Sequence, residues 1–155
     1  MMLRTHVVFT LFLYILALKI FSLNFSIFLM GVLVLGSVFP DFDVFIVFSK
    51  HRGFFHSFFG ALFFFSVFCA GIYFFKFSIV YAVFFVLGYL LHLALDSITI
   101  SGINWFWKSG HVHGPIKTAG IFERLFFFII LMFTIWLLLS FFGKTITAMI
   151  SKIKP

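Results

Sequence analysis

Five apolar stretches, each close to the length that crosses a bilayer, dominate this sequence of 155 residues. A helix needs about 20 mostly apolar residues to span about 30 Å of hydrocarbon. The stretches predict helices at about 5–21, 25–40, 53–75, 77–97 and 122–143. Because 64% of the residues are hydrophobic and only 10% are charged, the composition excludes an ordinary soluble domain. We therefore predict an all-α integral membrane protein, a compact bundle of about five transmembrane helices that forms a single domain over residues 1–155.

Threading these helices back and forth predicts a polar site at one membrane face. The N-terminus, the loops 41–52 and 98–121 and the start of the fifth helix share that face, called the site face below. Basic residues are nearly balanced between the two faces, so the positive-inside rule does not decide the orientation. The basic C-terminal tail favours a cytoplasmic tail and an outward-facing site in the cell (cytoplasmic) membrane. The sequence does not indicate an oligomeric state.

The 11 Lys and Arg residues are scattered between apolar runs. Nucleic-acid binding needs a continuous basic surface, so we expect membrane lipid and no nucleic acid as the partner. These basic side chains are typical of anchors at helix ends.

The chain has only four carboxylates, and the predicted topology brings all of them to the site face together with most of the six histidines. Ionisable groups at membrane depth are costly, so each of them needs a partner. Carboxylates and imidazoles together are typical ligands of zinc, manganese and iron. We therefore predict a site for one or two divalent ions, most consistent with Zn and also possible for Mn or Fe. The predicted ligands are Asp41, Asp43, His51, His56, His92, Asp96 and His6.

Each motif also has a purely structural interpretation. His92 and Asp96 stand four residues apart and share a helix face, which suits two ligands of one ion or a hydrogen-bonded pair. Asp41 and Asp43 follow a proline and could cap a helix. His111 and His113 are expected to point to opposite sides of an extended loop and to be solvated.

Three motifs follow one another along the chain, FPDFD at 39–43, HRGFFHS at 51–57 and GYLLHLALD at 88–96. In this order they resemble the YdjM-like family of membrane-bound proteins regarded as metal-dependent hydrolases. The likeness extends to Thr5-His6, Thr99, Gly102, Trp107 and Glu123-Arg124. The family pattern has a histidine where this chain has Val44 and a threonine where it has Phe55. The resemblance implies a metal centre and hydrolase activity.

These features lead to the hypothesis of a membrane-embedded metal-dependent hydrolase. Glu123 is the candidate general base or an additional ligand, and Arg52 and Arg124 would bind an anionic substrate. We place His56 and His92 about one turn inside their helices, at the depth of lipid headgroups. A phosphoester or another amphiphilic lipid is therefore the expected substrate.

Two other classes of function remain open. A transporter or channel could use the same acids and histidines to bind a cation or relay protons, although it would need polar residues across the whole membrane. Alternatively, a non-catalytic protein could use the metal only to fasten its loops together.

Overall fold

The computed structural model describes residues 1–45 and 53–153, with side chains over 1–43 and 53–143. These residues form five α-helices, which confirms the predicted all-α membrane bundle: α1 Leu3–Ile20, α2 Ile27–Val38, α3 Phe58–Phe74, α4 Val80–Ser97 and α5 Ile121–Ile153. Two 3₁₀ segments lie between α2 and α3: Phe39–Phe45 follows α2, and Phe54–His56 precedes α3. The strands β1 Ile103–Asn104 and β2 His111–Val112 pair antiparallel between α4 and α5.

Within the described part of the chain, three helical segments are long and apolar enough to cross a membrane: α1, α4 and Ile121–Gly143 of α5. The second predicted segment is shorter in the structure, because α2 has 12 residues and a length of about 18 Å. It gives way to the 3₁₀ segment just before Pro40, whose missing N–H group cannot continue an α-helical hydrogen-bond ladder.

The third helix begins at Phe58, five residues later than predicted. Ser57 caps it: the Ser57 hydroxyl accepts a 3.1 Å hydrogen bond from the Gly60 N–H and donates a 2.6 Å bond to the Phe54 carbonyl. The preceding 3₁₀ turn carries His56. The expectation that His56 lies one turn inside a helix was therefore wrong.

The fifth helix continues to Ile153, ten residues beyond its predicted end at Gly143. A single glycine costs a helix interior only about 1 kcal/mol, and no proline follows until Pro155. The predicted turn at Lys76 is confirmed, since this residue has a positive φ of 57° between α3 and α4.

The helices pack side by side in the order α3, α4, α2, α1, α5. The closest approach joins α2 to α4. A Cβ atom on Gly36 would lie 2.0 Å from the Phe85 carbonyl oxygen, and one on Gly88 would lie 2.0 Å from the Leu33 carbonyl oxygen. Small residues permit such backbone contact between membrane helices, so this pair fixes the position of α2 against α4.

Candidate metal centre

Five ionisable side chains converge at the site-face end of the bundle. They come from the start of α1, the two 3₁₀ segments and the end of α4: His6, Asp41, His56, His92 and Asp96. The three imidazoles are fully buried and Asp96 is 2% exposed, while Asp41 is 26% exposed. Two triplets, His6–Asp41–His92 and His56–His92–Asp96, each offer three ligand atoms within 4.8 Å of one another. These groups could hold a metal ion.

His92 has its tautomer fixed by the backbone of α2. Its Nδ1 atom lies 2.7 Å from the Ser37 carbonyl oxygen, which can only accept a hydrogen bond. The proton of a neutral ring therefore resides on Nδ1, and Nε2 turns a lone pair toward the cluster. A hydrogen bond to the far ring nitrogen is the usual way in which proteins orient a metal-binding histidine.

The corresponding nitrogen of His56 faces Asp43. The His56 Nδ1 atom lies 3.2 Å from Asp43 Oδ2, and the negative charge favours a proton on that nitrogen. On the other side of the ring, Nε2 lies 3.3 Å from His92 Nε2 and 3.4 Å from Asp41 Oδ1.

The spacing among these ligand atoms suits a small cation. Asp41 Oδ1 also lies 3.6 Å from His92 Nε2, and Asp96 Oδ2 lies 3.8 Å from the Nε2 atoms of both His56 and His92. Four ligands placed tetrahedrally at zinc bond lengths stand about 3.3 Å apart. The spacing of the carboxylates around the two imidazoles is therefore compatible with a bound metal ion.

His6 completes the cluster from α1. Its ring stacks on that of His92 at 3.9 Å between centroids, and its Nε2 atom lies 3.3 Å from Asp96 Oδ1. Asp96 also accepts a hydrogen bond from the backbone nitrogen of Met1. Among the residues that the structure describes, His6 Nδ1 has no hydrogen-bond partner although it is buried. A buried nitrogen in that condition is costly unless a ligand engages that nitrogen.

Asp41 forms the most accessible side of the cluster. Burial raises the pKa of its carboxyl group, but the contact with the His56 ring and the nearby imidazoles of His92 and His6 lower it by more, so the pKa lies below its ordinary value of 3.8. Asp41 is therefore ionised at neutral pH and supplies negative charge where the cluster meets solvent.

Glu123 lies in the first turn of α5 with both carboxylate oxygens engaged. Oε1 accepts hydrogen bonds from the Met2 N–H at 2.5 Å and the Thr5 hydroxyl at 3.0 Å, and Oε2 accepts one from the Ala119 N–H at 2.5 Å. These contacts fasten the start of α1 to the start of α5. Its roles as general base or additional ligand stay predictions, as does substrate binding by Arg124, which is exposed beside it.

The other sequence-predicted site residues divide into two groups. Asp43 lies beside the cluster on the far ring nitrogen of His56. His51, Arg52 and the side chain of Val44 lie outside the described residues.

The sequence analysis assigned no role to several supporting residues. The Ser37 carbonyl carries no signal in the sequence, because any residue offers the same group. Thr99 donates a 2.7 Å hydrogen bond to the Asp96 carbonyl, and Tyr89 donates one to the Phe55 carbonyl. Tyr89 lies within the quoted 88–96 motif, so a tyrosine in an apolar helix beside the predicted ligands was an available indication.

His111 and His113 are exposed, as expected, but their predicted orientation was wrong. Their ring centroids lie 5.8 Å apart. Alternate side chains of an extended strand share one face, so residues two apart point the same way.

A model of the family described as "YdjM inner membrane protein" matches residues 1–152. No curated protein and no solved structure matches the chain. The family match covers the first four helices, all but the last residue of α5 and every residue of the convergent cluster, and it agrees with the membrane-spanning character of the fold. The chain therefore belongs to the YdjM inner membrane protein family.

Proposed function

We propose that this protein is a membrane-embedded metal-dependent hydrolase that acts on a phosphoester or another amphiphilic lipid at headgroup depth. The observation that carries the proposal is the 3.3 Å separation of the His56 and His92 Nε2 atoms beside two carboxylates. Two imidazole lone pairs at that distance repel each other, and a cation between them relieves the repulsion. Acids and histidines buried in a membrane protein generally mark a functional site.

The ligand set supports zinc, with manganese or iron as other candidates. His56, His92, Asp41 and Asp96 supply two nitrogen and two oxygen donors, and His6 is close enough to replace one of them. His92 presents one nitrogen only, since its Nδ1 is bonded to Ser37. It can therefore bind only one ion, which favours a single ion shared by the two triplets.

A divalent ion in this site would lower the pKa of a water molecule and polarise the scissile bond. The residues around it have separate tasks in the proposal. Ser37 and Asp43 hold the two imidazoles in place, and the partly exposed Asp41 leaves an approach for water and substrate. Arg124 is exposed beside Glu123 and would bind a phosphate group, as would Arg52.

The position of the cluster supports a substrate that resides in the membrane. His6 is the fourth residue of α1 and Asp96 is the last but one of α4, so both lie within about a turn of a helix end, some 5 Å. A soluble substrate would not require this depth, whereas the polar group of a lipid is already there.

The proposal is tested with purified protein in detergent. Metal content is measured by mass spectrometry, and hydrolysis is assayed with phospholipids and polyprenyl phosphates. We expect bound zinc, metal-dependent turnover of at least one substrate, and loss of both in His92→Ala and Asp96→Asn. Ser97→Ala is the control, because the Ser97 hydroxyl donates its hydrogen bond to the Ala94 carbonyl of its own helix. A protein that keeps its metal but hydrolyses none of these substrates would refute the hydrolase proposal and still support the metal site.

One observation favours a second candidate, cation or proton transport. His6, Thr10 and Tyr14 follow one another at four-residue intervals on one face of α1, and all three are buried. The Tyr14 hydroxyl bonds to the Ser26 carbonyl at the opposite end of the bundle. Metal or proton flux into proteoliposomes that His6→Ala and Thr10→Val abolish would establish transport. Sealed proteoliposomes without flux would exclude it.

A further inference from the structure

A second pair of histidines lies outside the buried cluster and has no part in the proposed hydrolysis. We infer that His111 and His113 form an exposed binding site for a divalent transition-metal ion of the Zn²⁺, Ni²⁺ or Cu²⁺ type. This site is separate from the buried centre and does not depend on the hydrolase proposal.

The geometry of β2 brings the two imidazoles together. His111 belongs to the strand and His113 follows it, so both side chains project from the same face. Their ring centroids lie 5.8 Å apart with the ring planes 34° from parallel. For comparison, the centroids of His56 and His92 lie 5.1 Å apart and their Nε2 atoms converge to 3.3 Å. Small rotations about the side-chain bonds of His111 and His113 would place two nitrogens on one ion.

Asn104 orients one of these rings. Its Oδ1 atom lies 2.9 Å from His111 Nδ1, and an amide oxygen only accepts hydrogen bonds. The proton therefore lies on Nδ1, and His111 Nε2 is left with its lone pair available. Asn104 is paired with His111 across the β1–β2 ladder, so the backbone itself positions this contact.

A glycine makes room for the pair. Gly102 has a positive φ of 56°, and a Cβ atom there would lie 2.2 Å from the Val112 carbonyl oxygen and 2.8 Å from His113 Cβ. Any other residue at this position would push the His113 segment away from β1. The close contact therefore fixes the backbone at Val112 and His113.

The chemistry of the loop selects the class of ion. No carboxylate occurs between Asp96 and Glu123, while Lys108 and Lys117 are exposed in the same loop. Two neutral imidazoles with water in the remaining positions favour Zn²⁺, Ni²⁺ and Cu²⁺ over Mg²⁺, Ca²⁺ and Mn²⁺. Because the nearby charges are positive and the rings are exposed, we expect weaker binding than at the buried centre.

The test uses the full-length protein, purified in detergent through a tag without histidines and stripped of metal. Calorimetric titration with Ni²⁺ and Zn²⁺ should resolve one weak equivalent in addition to any buried one. His111→Ala and His113→Ala should each remove the weak equivalent, and Lys108→Ala, in the same loop, should retain it. His92→Ala should also retain it, which separates this inference from the proposed function.

Equal stoichiometry and affinity in the wild type, His111→Ala and His113→Ala would overturn the inference. So would binding of Mg²⁺ or Mn²⁺ as tight as that of Ni²⁺, since that selectivity belongs to oxygen ligands. Gel filtration of each variant checks that it is folded, and the exposed position of both rings gives little reason for misfolding.

Discussion

The two ends of this helical bundle differ in which side chains they bury. At the site face, polar side chains are inside: His6, His56 and His92 have no exposed surface. At the opposite end, apolar side chains are outside, with Tyr73 87% and Phe74 78% exposed. Lipid accepts such side chains at little cost, so the far end needs no specific partners. The site end depends on individual hydrogen bonds. Substitutions there should therefore lower stability or metal affinity far more than substitutions at the opposite end.

The largest contrast is expected between two glycines. Gly88→Ala should destabilise the protein by about 3 kcal/mol or more, because its new methyl group meets the Leu33 carbonyl, which cannot rotate away. Gly31→Ala is the matched change toward the far end, where the new Cβ would meet no atom of the described residues within 4 Å outside its own helix turn, and it should stabilise the helix by about 0.5–1 kcal/mol. Thermal unfolding followed by size-exclusion chromatography measures both. Equal midpoints for the two variants would refute the close contact of α2 and α4.

The next largest effect, a loss of metal affinity, is expected for Asp43→Asn. Losing the charge beside His56 Nδ1 should weaken metal binding about 10- to 100-fold, as is usual for residues that orient a metal-binding histidine. Ser140→Ala, in α5 but more than four turns beyond Glu123, should leave the affinity unchanged. Competition with a chromogenic chelator gives both values. An affinity that falls much further would indicate that Asp43 itself binds the ion, as the sequence predicted.

Glu123→Gln tests the fastening of α1 to α5. The new amide must oppose at least one of three hydrogen-bond donors, so stability should fall by about 1–3 kcal/mol. Arg124→Gln, its exposed neighbour, should change stability by less than about 0.5 kcal/mol. Chemical denaturation in detergent measures the difference. Unchanged stability with lost turnover would instead support Glu123 as the general base.

The smallest change in stability is expected for Lys19, at the end of the bundle opposite the site face. Lys19 donates a 3.2 Å hydrogen bond to the Ser140 hydroxyl and lies 4.8 Å from the Trp136 ring centroid. These contacts are exposed, so Lys19→Met should cost at most about 1 kcal/mol. The same denaturation assay applies. A loss as large as that of Glu123→Gln would show that the two ends are not as different as their burial suggests.

Much of this arrangement was predictable because it follows from local patterns. The number of helices, the turn at Lys76 and the gathering of His6, Asp96 and Glu123 at one face all come from the alternation of apolar runs with polar connections. The exact ends of the helices were harder to predict from the sequence. The sequence does not show that Ser57 caps a helix, because that depends on its hydrogen bonds. The fifth helix was predicted to end at Gly143, but a single glycine does not end a helix.

The finer structure of the site depends on contacts between distant segments. Nothing local distinguishes Asp41, which faces the cluster of ligand atoms, from Asp43, which faces the back of His56. Their roles depend on which way the 3₁₀ segment turns against α3 and α4. The pairing of β1 with β2 was missed because strands of two residues leave no periodic pattern.

The glycine contact between α2 and α4 has a consequence for acid–base chemistry. Gly36 immediately precedes Ser37, and Gly88 lies one turn before His92. The carbonyl of Ser37 reaches His92 Nδ1 only because the two backbones touch at these glycines. The location of a single proton, and with it the direction in which an imidazole can donate electrons, is thus determined by how closely two helices pack.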